Sequence, residues 1–355
     1  MTIPKFPVVT PSFHSLLKQR VQEYFESTGK NTTGGWRILG KALFLMASFL
    51  ATYLVLLIAQ PSWPWAIGLC VLMALLIAAI GFNVMHDGGH GSFSKYPLVN
   101  KLAALTLNLL GGSAFMWNVK HNVIHHAYTN VHEVDDDLNA GIILRMSEHQ
   151  RRIGLHRIQH IYFWLPYSLL YLFWIFFSDY NKYFSRRIGV TPLKKMKLKD
   201  HISFWSGKLL HAFLFMVLPI MLFGFINWLI GFLVMAMVGG FTLSIVFQLA
   251  HTVEHTHFPA VDANNPKLED EWAVHQLKTT ANFATRNRFV SWFVGGLNFQ
   301  VEHHLFPRIS HIHYPAINKI IKETCREFKV TYIEFPTVMH AVASHVAYLK
   351  RMGRA

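Results

Sequence analysis

The chain has 355 residues, of which 52% are hydrophobic and 14% aromatic, while only 15% are charged; its formal net charge is still +14. A soluble domain carries about 25% charged residues, so this balance excludes an ordinary soluble fold and predicts long apolar segments with basic flanks. No basic-aromatic motif of the nucleic-acid-binding kind is present, and Cys70 and Cys325 are too far apart in sequence to suggest a disulfide framework.

Residues 1–40 are mixed and basic, and no cleavable signal peptide opens them. Phe13, Leu16, Leu17, Val21, Tyr24 and Phe25 share one helical face. That helix either lies on a membrane surface or packs on the protein's own body. Apolar runs then follow at 42–59, 66–85, 209–229 and 231–250. Each approaches the roughly 20 residues that cross a bilayer. Pro219 is compatible with such a helix where neighbours satisfy the freed backbone. The stretches 102–117, with a Gly-Gly break, and 161–177, with a proline, are apolar but ambiguous.

Lysine and arginine concentrate before residue 42, between Lys182 and Lys208, and after Arg308, while "QPSWPW" and "INWLIG" carry none. The positive-inside rule then places both termini and the central loop in the cytoplasm, with four crossings. If 161–177 alone crossed, the last histidine cluster would face the other side, so both ambiguous stretches are expected to be in-plane or re-entrant. The expected architecture is an all-α integral membrane protein. It has four transmembrane helices, in-plane or re-entrant helices, and a cytoplasmic cap holding a histidine-rich di-metal site. The expected divisions are an amphipathic N-terminal segment at 1–40, a catalytic domain at 41–335 and a cytoplasmic tail at 336–355.

Histidine is over-used, at 22 residues, and it clusters: "HDGGH" at His86 and His90, "HNVIHH" at His121, His125 and His126, and "QVEHH" at Gln300, His303 and His304. Histidines four apart share a helical face. A doublet partner is turned by about 100°, so His125/His126 and His303/His304 can address two different metals. Neutral imidazole suits iron, zinc, copper or nickel. Three clusters on one membrane face are too many for one tetrahedral ion, and two metals are the natural count.

These three motifs resemble the histidine boxes of the membrane fatty acid desaturases, and the resemblance runs from about Gln19 to Ile333. "HDGGH" and "HNVIHH" are shared with related hydroxylases, whereas Gln300 opening the third box is characteristic of front-end desaturases. "EDEWAVHQLKTTANFATRN" and "GGLNFQVEHHLFPRISHIHYP" are most similar to delta-6-type acyl-lipid desaturases of bacteria and cyanobacteria. The resemblance implies two non-haem irons and O2 as co-substrate, with metal ligands at His86, His90, His121, His125, His126, His303 and His304. His251 supplies a further ligand, with His255 as the alternative. Gln300 would orient a metal-bound water.

The resemblance also implies an acyl-lipid or acyl-CoA substrate in a tunnel among the helices. A separate electron donor is expected, ferredoxin or cytochrome b5 with its reductase, because no His-Pro-Gly-Gly haem segment occurs. Asp135, Asp136 and Asp137 are candidates for holding ligand histidines, and Asn282 and Asn298 for orienting ligands or water; in each case loop hydrogen bonding is the competing role. His311 and His313 are expected outside the metal shell. The scattered His14, His149, His156, His160, His201 and His340 are expected to be structural or interfacial. A hydroxylase of the same superfamily is the nearest alternative activity. A membrane metal transporter is the alternative from another class, although its ligands should be spread through the crossing helices.

Overall fold

The computed structural model describes residues 4–138, 140–261 and 266–355. Among these, Gly35–Ala59, Trp63–His90, Leu198–Phe223 and Phe225–His251 are long and apolar enough to cross a membrane. They form two hairpins. The first turns after Gln60 and the second at Gly224, whose φ of +77° is one that glycine adopts without steric cost. This turn differs from the expected boundary between 209–229 and 231–250. The connection "INWLIG" lies inside the fourth helix, because the apolar count does not register where a left-handed glycine interrupts it. The first helix also starts earlier than expected, at Gly35 rather than 42.

Pro219 lacks the N–H that would serve the Phe215 carbonyl, and the third helix widens into a π-turn over Phe213–Val217. Trp228 Nε1 donates to the Phe215 carbonyl at 2.7 Å, and the Tyr53 hydroxyl donates to that of Leu214 at 2.6 Å. The neighbouring helices thus repair the backbone where water is absent. The fourth helix packs closely along Trp164–Phe173. A Cβ at Gly240 would lie 2.4 Å from the Ser168 carbonyl oxygen, so only glycine permits this approach.

Both ambiguous stretches are bent pairs. Pro97–Leu109 and Ala114–His125 meet at 114°, and Gly154–Tyr162 and Trp164–Ser185 at 85°. The first pair leaves from His90 and returns until His121 Nε2 lies 3.2 Å from His86 Nε2. It therefore re-enters on one side, as the parity of the clusters requires. Its break exposes three carbonyls, and each finds a side-chain donor: Leu109 from His211 Nδ1 at 3.1 Å, Leu110 from the Tyr171 hydroxyl at 2.7 Å, and Gly111 from Lys208 Nζ at 2.6 Å. Lys208 also pairs with the buried Asp179 at 2.9 Å.

The remainder forms a cap at the histidine-bearing end. Phe13–Thr28 buries Phe13, Leu17 and Val21 against Ala273, Leu277, Ile317 and Ile321. Its apolar face is therefore spent on the protein, not on a membrane surface. Residues 336–355 are likewise more than a tail. Val338–Met352 is a docked helix, with His345 Nδ1 2.6 Å from the Thr252 carbonyl and His345 Nε2 3.0 Å from the Tyr167 hydroxyl. Its neighbours pin it further: Gln159 Nε2 donates to the Leu349 carbonyl at 2.8 Å.

Removing one partner of the buried ion pair strands the other. We expect Lys208→Met to destabilise the protein by about 3–5 kcal/mol, and Lys208→Met with Asp179→Leu to recover much of that loss. Thermal unfolding of the detergent-solubilised protein measures both, and a wild-type melting temperature for the single variant would contradict the clamp.

Candidate metal centre

The first cluster owes its shape to a widened turn and two glycines. The second helix opens into a π-turn over Gly81–Met85 immediately before the His86–His90 turn. A Cβ at Gly88 would lie 2.6 Å from that of Ala103, and one at Gly89 would lie 2.2 Å from the Trp117 ring. The two central glycines of "HDGGH" therefore admit the re-entrant pair against this turn, which leaves His86 and His90 with ring centroids 4.7 Å apart. Asp87, buried between them, accepts from His311 Nδ1 at 2.9 Å and from Ser310 Oγ at 3.4 Å.

The second cluster corrects the expected helical geometry. Val119–His125 is a π-turn, and the His126 N–H bonds to the His121 carbonyl five residues back at 3.0 Å. Instead of diverging, His126 returns over His121, with their Nε2 atoms 3.2 Å apart. Such widened turns concentrate at functional sites. Asp135 Oδ2 accepts from His125 Nδ1 and from the Asn130 N–H, both at 2.9 Å. Asp136 and Asp137 instead pair with Lys120, at 3.9 and 2.5 Å, although Asp137 also stands 3.3 Å from His125 Nδ1. Asn130 adopts φ +59° and donates Nδ2 to the carbonyls of His251, His257 and Thr279. It thus ties this loop to the end of the fourth helix.

The third cluster sits on the short helix Gln300–Leu305, buried throughout. His304 Nδ1 lies 2.9 Å from Gln276 Oε1, His303 Nδ1 lies 3.2 Å from the Tyr314 hydroxyl, and His251 Nδ1 lies 3.3 Å from the Thr279 carbonyl. For His251 and His304 these acceptors hold the proton on Nδ1 and leave Nε2 as a lone pair facing inward. Burial pushes the pKa values of His126, His303 and His304 well below the ordinary histidine value, with neighbouring imidazoles adding to the effect. The shift favours the neutral form of these three rings, which is the form that ligates.

The clusters converge. Ring nitrogens of His86, His90, His121 and His303 lie within 4.8 Å of one another, as do those of His125, His251 and His304 and those of His126, His303 and His304. The two adjacent histidines of the third box thus divide, His303 toward the first group and His304 toward the second. His90 Nε2, His251 Nε2, His303 Nε2, His304 Nε2 and His126 Nδ1 are buried without a hydrogen-bond partner. A buried nitrogen lone pair without a donor is costly, and the donor set is one that borderline metal ions accept. The residues present fit a metal centre.

Gln300, which opens the short helix of His303 and His304, is buried, 1% exposed, with its side-chain carbonyl oxygen unpartnered. Of the two candidates after the fourth helix, His251 joins the cluster, 4.8 Å from His125 and 4.9 Å from His304 between ring centroids, whereas His255 is exposed. His313 meets Phe25 edge-on, His156 Nε2 bonds the Ile142 carbonyl, and Asn298 Nδ2 donates to the Ala284 carbonyl and the Ser291 hydroxyl. Sequence reasoning missed Gln276, Thr279, Glu302 and the Asp87–His311 pair. Asp87 and Glu302 carried a signal, their places inside the first and third boxes.

Four membrane-length helices beneath eight converging imidazoles (His86, His90, His121, His125, His126, His251, His303 and His304) define an integral membrane protein with a site fitted to a metal centre. The sequence profile of the fatty acid desaturase family matches residues 61–336. The chain is 36% identical to an sn-1 linoleoyl-lipid 6-desaturase of Synechocystis sp., covering 97% of this chain and 96% of that one. It is 36% identical to an acyl-lipid (8-3)-desaturase of Physcomitrium patens, over 96% and 72% of the two chains. An sn-1 linoleoyl-lipid 6-desaturase of Arthrospira platensis is 33% identical, over 96% and 92%. The chain belongs to the fatty acid desaturase family and is an oxidoreductase of that kind.

Asp135 touches His125 through the nitrogen that faces away from the cluster, so we expect Asp135→Asn to weaken metal retention about 10–100-fold. Metal analysis of the purified variant after graded chelation checks this, and wild-type retention would remove Asp135 from the site.

Proposed function

We propose that this enzyme is a front-end desaturase. On this reading it inserts a double bond into a lipid-borne acyl chain, between an existing double bond and the carboxyl end, in the manner of the delta-6 enzymes. The observation that carries the reading is the gathering of the eight imidazoles into groups, one of which borders an apolar cavity through His86. That cavity is lined by His86, Trp117, Tyr171, Trp174, Ile175 and Phe247 among others. His86, His90, His121 and His303 would hold one iron, and His125, His251 and His304 the other, with His126 beside both. Bound iron would supply the dioxygen-activating chemistry that an unactivated methylene demands, since no side-chain acid or base can remove its hydrogens.

The chain's own residues do the rest. The aromatic and aliphatic lining holds the acyl chain and excludes water, while the outward Nδ1 bonds of His125, His251 and His304 keep their other nitrogens aimed at the metals. The basic flanks support an orientation with both termini and the metal centre in the cytoplasm. There a separate one-electron carrier, ferredoxin or cytochrome b5 with its reductase, would deliver the electrons.

The test is to supply a defined polyunsaturated acid to an expressing host and to locate the new double bond by mass spectrometry. A hydroxylated product would favour the hydroxylase, and metal uptake without lipid oxidation a transporter. We expect alanine at His86, His125, His251 or His304 to abolish the product while the protein still inserts, and His255→Ala to keep it. Purified protein should need the carrier and its reductase, with NADPH alone giving nothing.

Gln300, with its unpartnered carbonyl oxygen, is suited to orienting a metal-bound water. Gln300→Ala should lose most product while keeping most iron, whereas His303→Ala or His304→Ala should lose both. Near-normal yield from Gln300→Ala would leave the glutamine with a packing role only.

A further inference from the structure

Glu302 stands between Gln300 and the His303/His304 pair, and its side chain is fully buried. No lysine, arginine or histidine pairs with it among the described residues. Its Oε2 accepts from Asn282 Nδ2 at 2.7 Å, and its Oε1 accepts from Asn318 Nδ2 at 3.0 Å and from the Tyr332 hydroxyl at 2.9 Å. The hydrogens in this cage can be counted. Asn282 Oδ1 accepts the Val301 N–H at 2.9 Å, which turns the Asn282 amide nitrogen toward Glu302. Asn282 and Asn318 each give a second N–H to the Tyr332 oxygen at 2.5 Å, filling both of its lone pairs. The tyrosine proton is then left for Glu302. Every neighbour donates and none accepts, so the cage is built for an acceptor-only carboxylate.

The cage also reaches three other parts of the cap. Asn282 lies on the strand Asn282–Phe283, which pairs in parallel with Glu334–Phe335 just after Tyr332. Asn318 lies one turn along the helix Tyr314–Phe328 from Tyr314, the residue beside His303 Nδ1. Rotation of the short Gln300–Leu305 helix is therefore set through Glu302.

We propose that Glu302 is a positioning residue: clamped by Asn282, Asn318 and Tyr332, it fixes the rotation of its helix so that His303 and His304 serve different metals, and places a negative charge behind that centre. The inference rests on the two-metal reading above. A shell of neutral imidazoles leaves the metals' charge uncompensated, and a buried carboxylate without a cation of its own lowers that electrostatic cost.

The test exchanges the polarity of one bond. Glu302→Gln turns an amide donor toward the Asn282 or Asn318 donor and should weaken iron retention about 10–100-fold. Asn282→Asp alone sets two carboxylates against each other and should also lose iron. The double variant Asn282→Asp/Glu302→Gln restores one donor facing one acceptor and keeps the charge. It should return iron content to within about threefold of wild type, a coupling that independent sites do not show. A role in packing alone would make the double variant at least as poor as the worse single variant. That outcome, or wild-type iron in Glu302→Gln, overturns the proposal. If Glu302→Gln fails to accumulate in the membrane, recovery of inserted, iron-bearing protein by the double variant is read in the same way. Wild-type protein assayed beside these variants separates the failures, since absence of iron there would sink the two-metal reading itself.

Discussion

At the centre of the molecule, buried imidazole nitrogens face one another at hydrogen-bonding distance. His86 and His121 meet at 3.2 Å between Nε2 atoms, and so do His121 and His126. Around them His90 Nε2, His251 Nε2, His303 Nε2 and His304 Nε2 are buried without a partner, which is costly for a lone pair and which a metal ion would relieve. The surrounding devices serve this convergence. The π-turns before His86 and at Val119–His125 rotate histidines inward, and Gly88 and Gly89 let two helical segments meet closely enough for the clusters to touch. The acceptors on the outward nitrogens then decide which lone pair faces the centre.

A second constraint runs through the membrane-depth part of the chain. A re-entrant helix pair leaves backbone carbonyls without partners where no water can reach them. Here Leu109, Leu110 and Gly111 are met by His211, Tyr171 and Lys208 from neighbouring helices, and the carbonyl freed by Pro219 is met by Trp228. Tyr171 both serves the break and lines the apolar cavity. The bend that returns His121 to His86 and the wall of the cavity are therefore one piece of architecture, and a change in either would be felt by both.

The carboxylates around the centre lie behind the histidines. Asp87 faces His311, Asp135 faces His125, and Glu302 faces a ring of neutral donors. Each sits beside a histidine of the cluster in sequence or in space. Together they set acceptors behind the imidazoles without entering the cluster itself. Imidazoles toward the centre and carboxylates one layer out is an arrangement that a low-dielectric setting favours around a metal ion.

Much of this was legible in the chain itself. Apolar run length announced four helices long enough to cross a membrane, and cluster parity asked both ambiguous stretches to return, as the pair that brings His121 back to His86 does. Histidine spacing singled out His86, His90, His121, His125, His126, His303 and His304 as candidates, and the fold brings their rings together. Hydropathy misplaced the turn at Gly224, since uniform apolarity carries no punctuation, and it allowed the helix Phe13–Thr28 two homes that only packing against Ile317 and Ile321 could separate. The choice of His251 over His255 depended on where the fourth helix ends relative to His125 and His304. The π-turn that folds His126 back over His121 breaks the very period from which sequence reasoning proceeds. Gln276, Thr279 and the Glu302 cage lay beyond reach for a further reason: their partners are distant in sequence, and an amide or carboxylate acquires its role only from the donors and acceptors that tertiary packing sets against it.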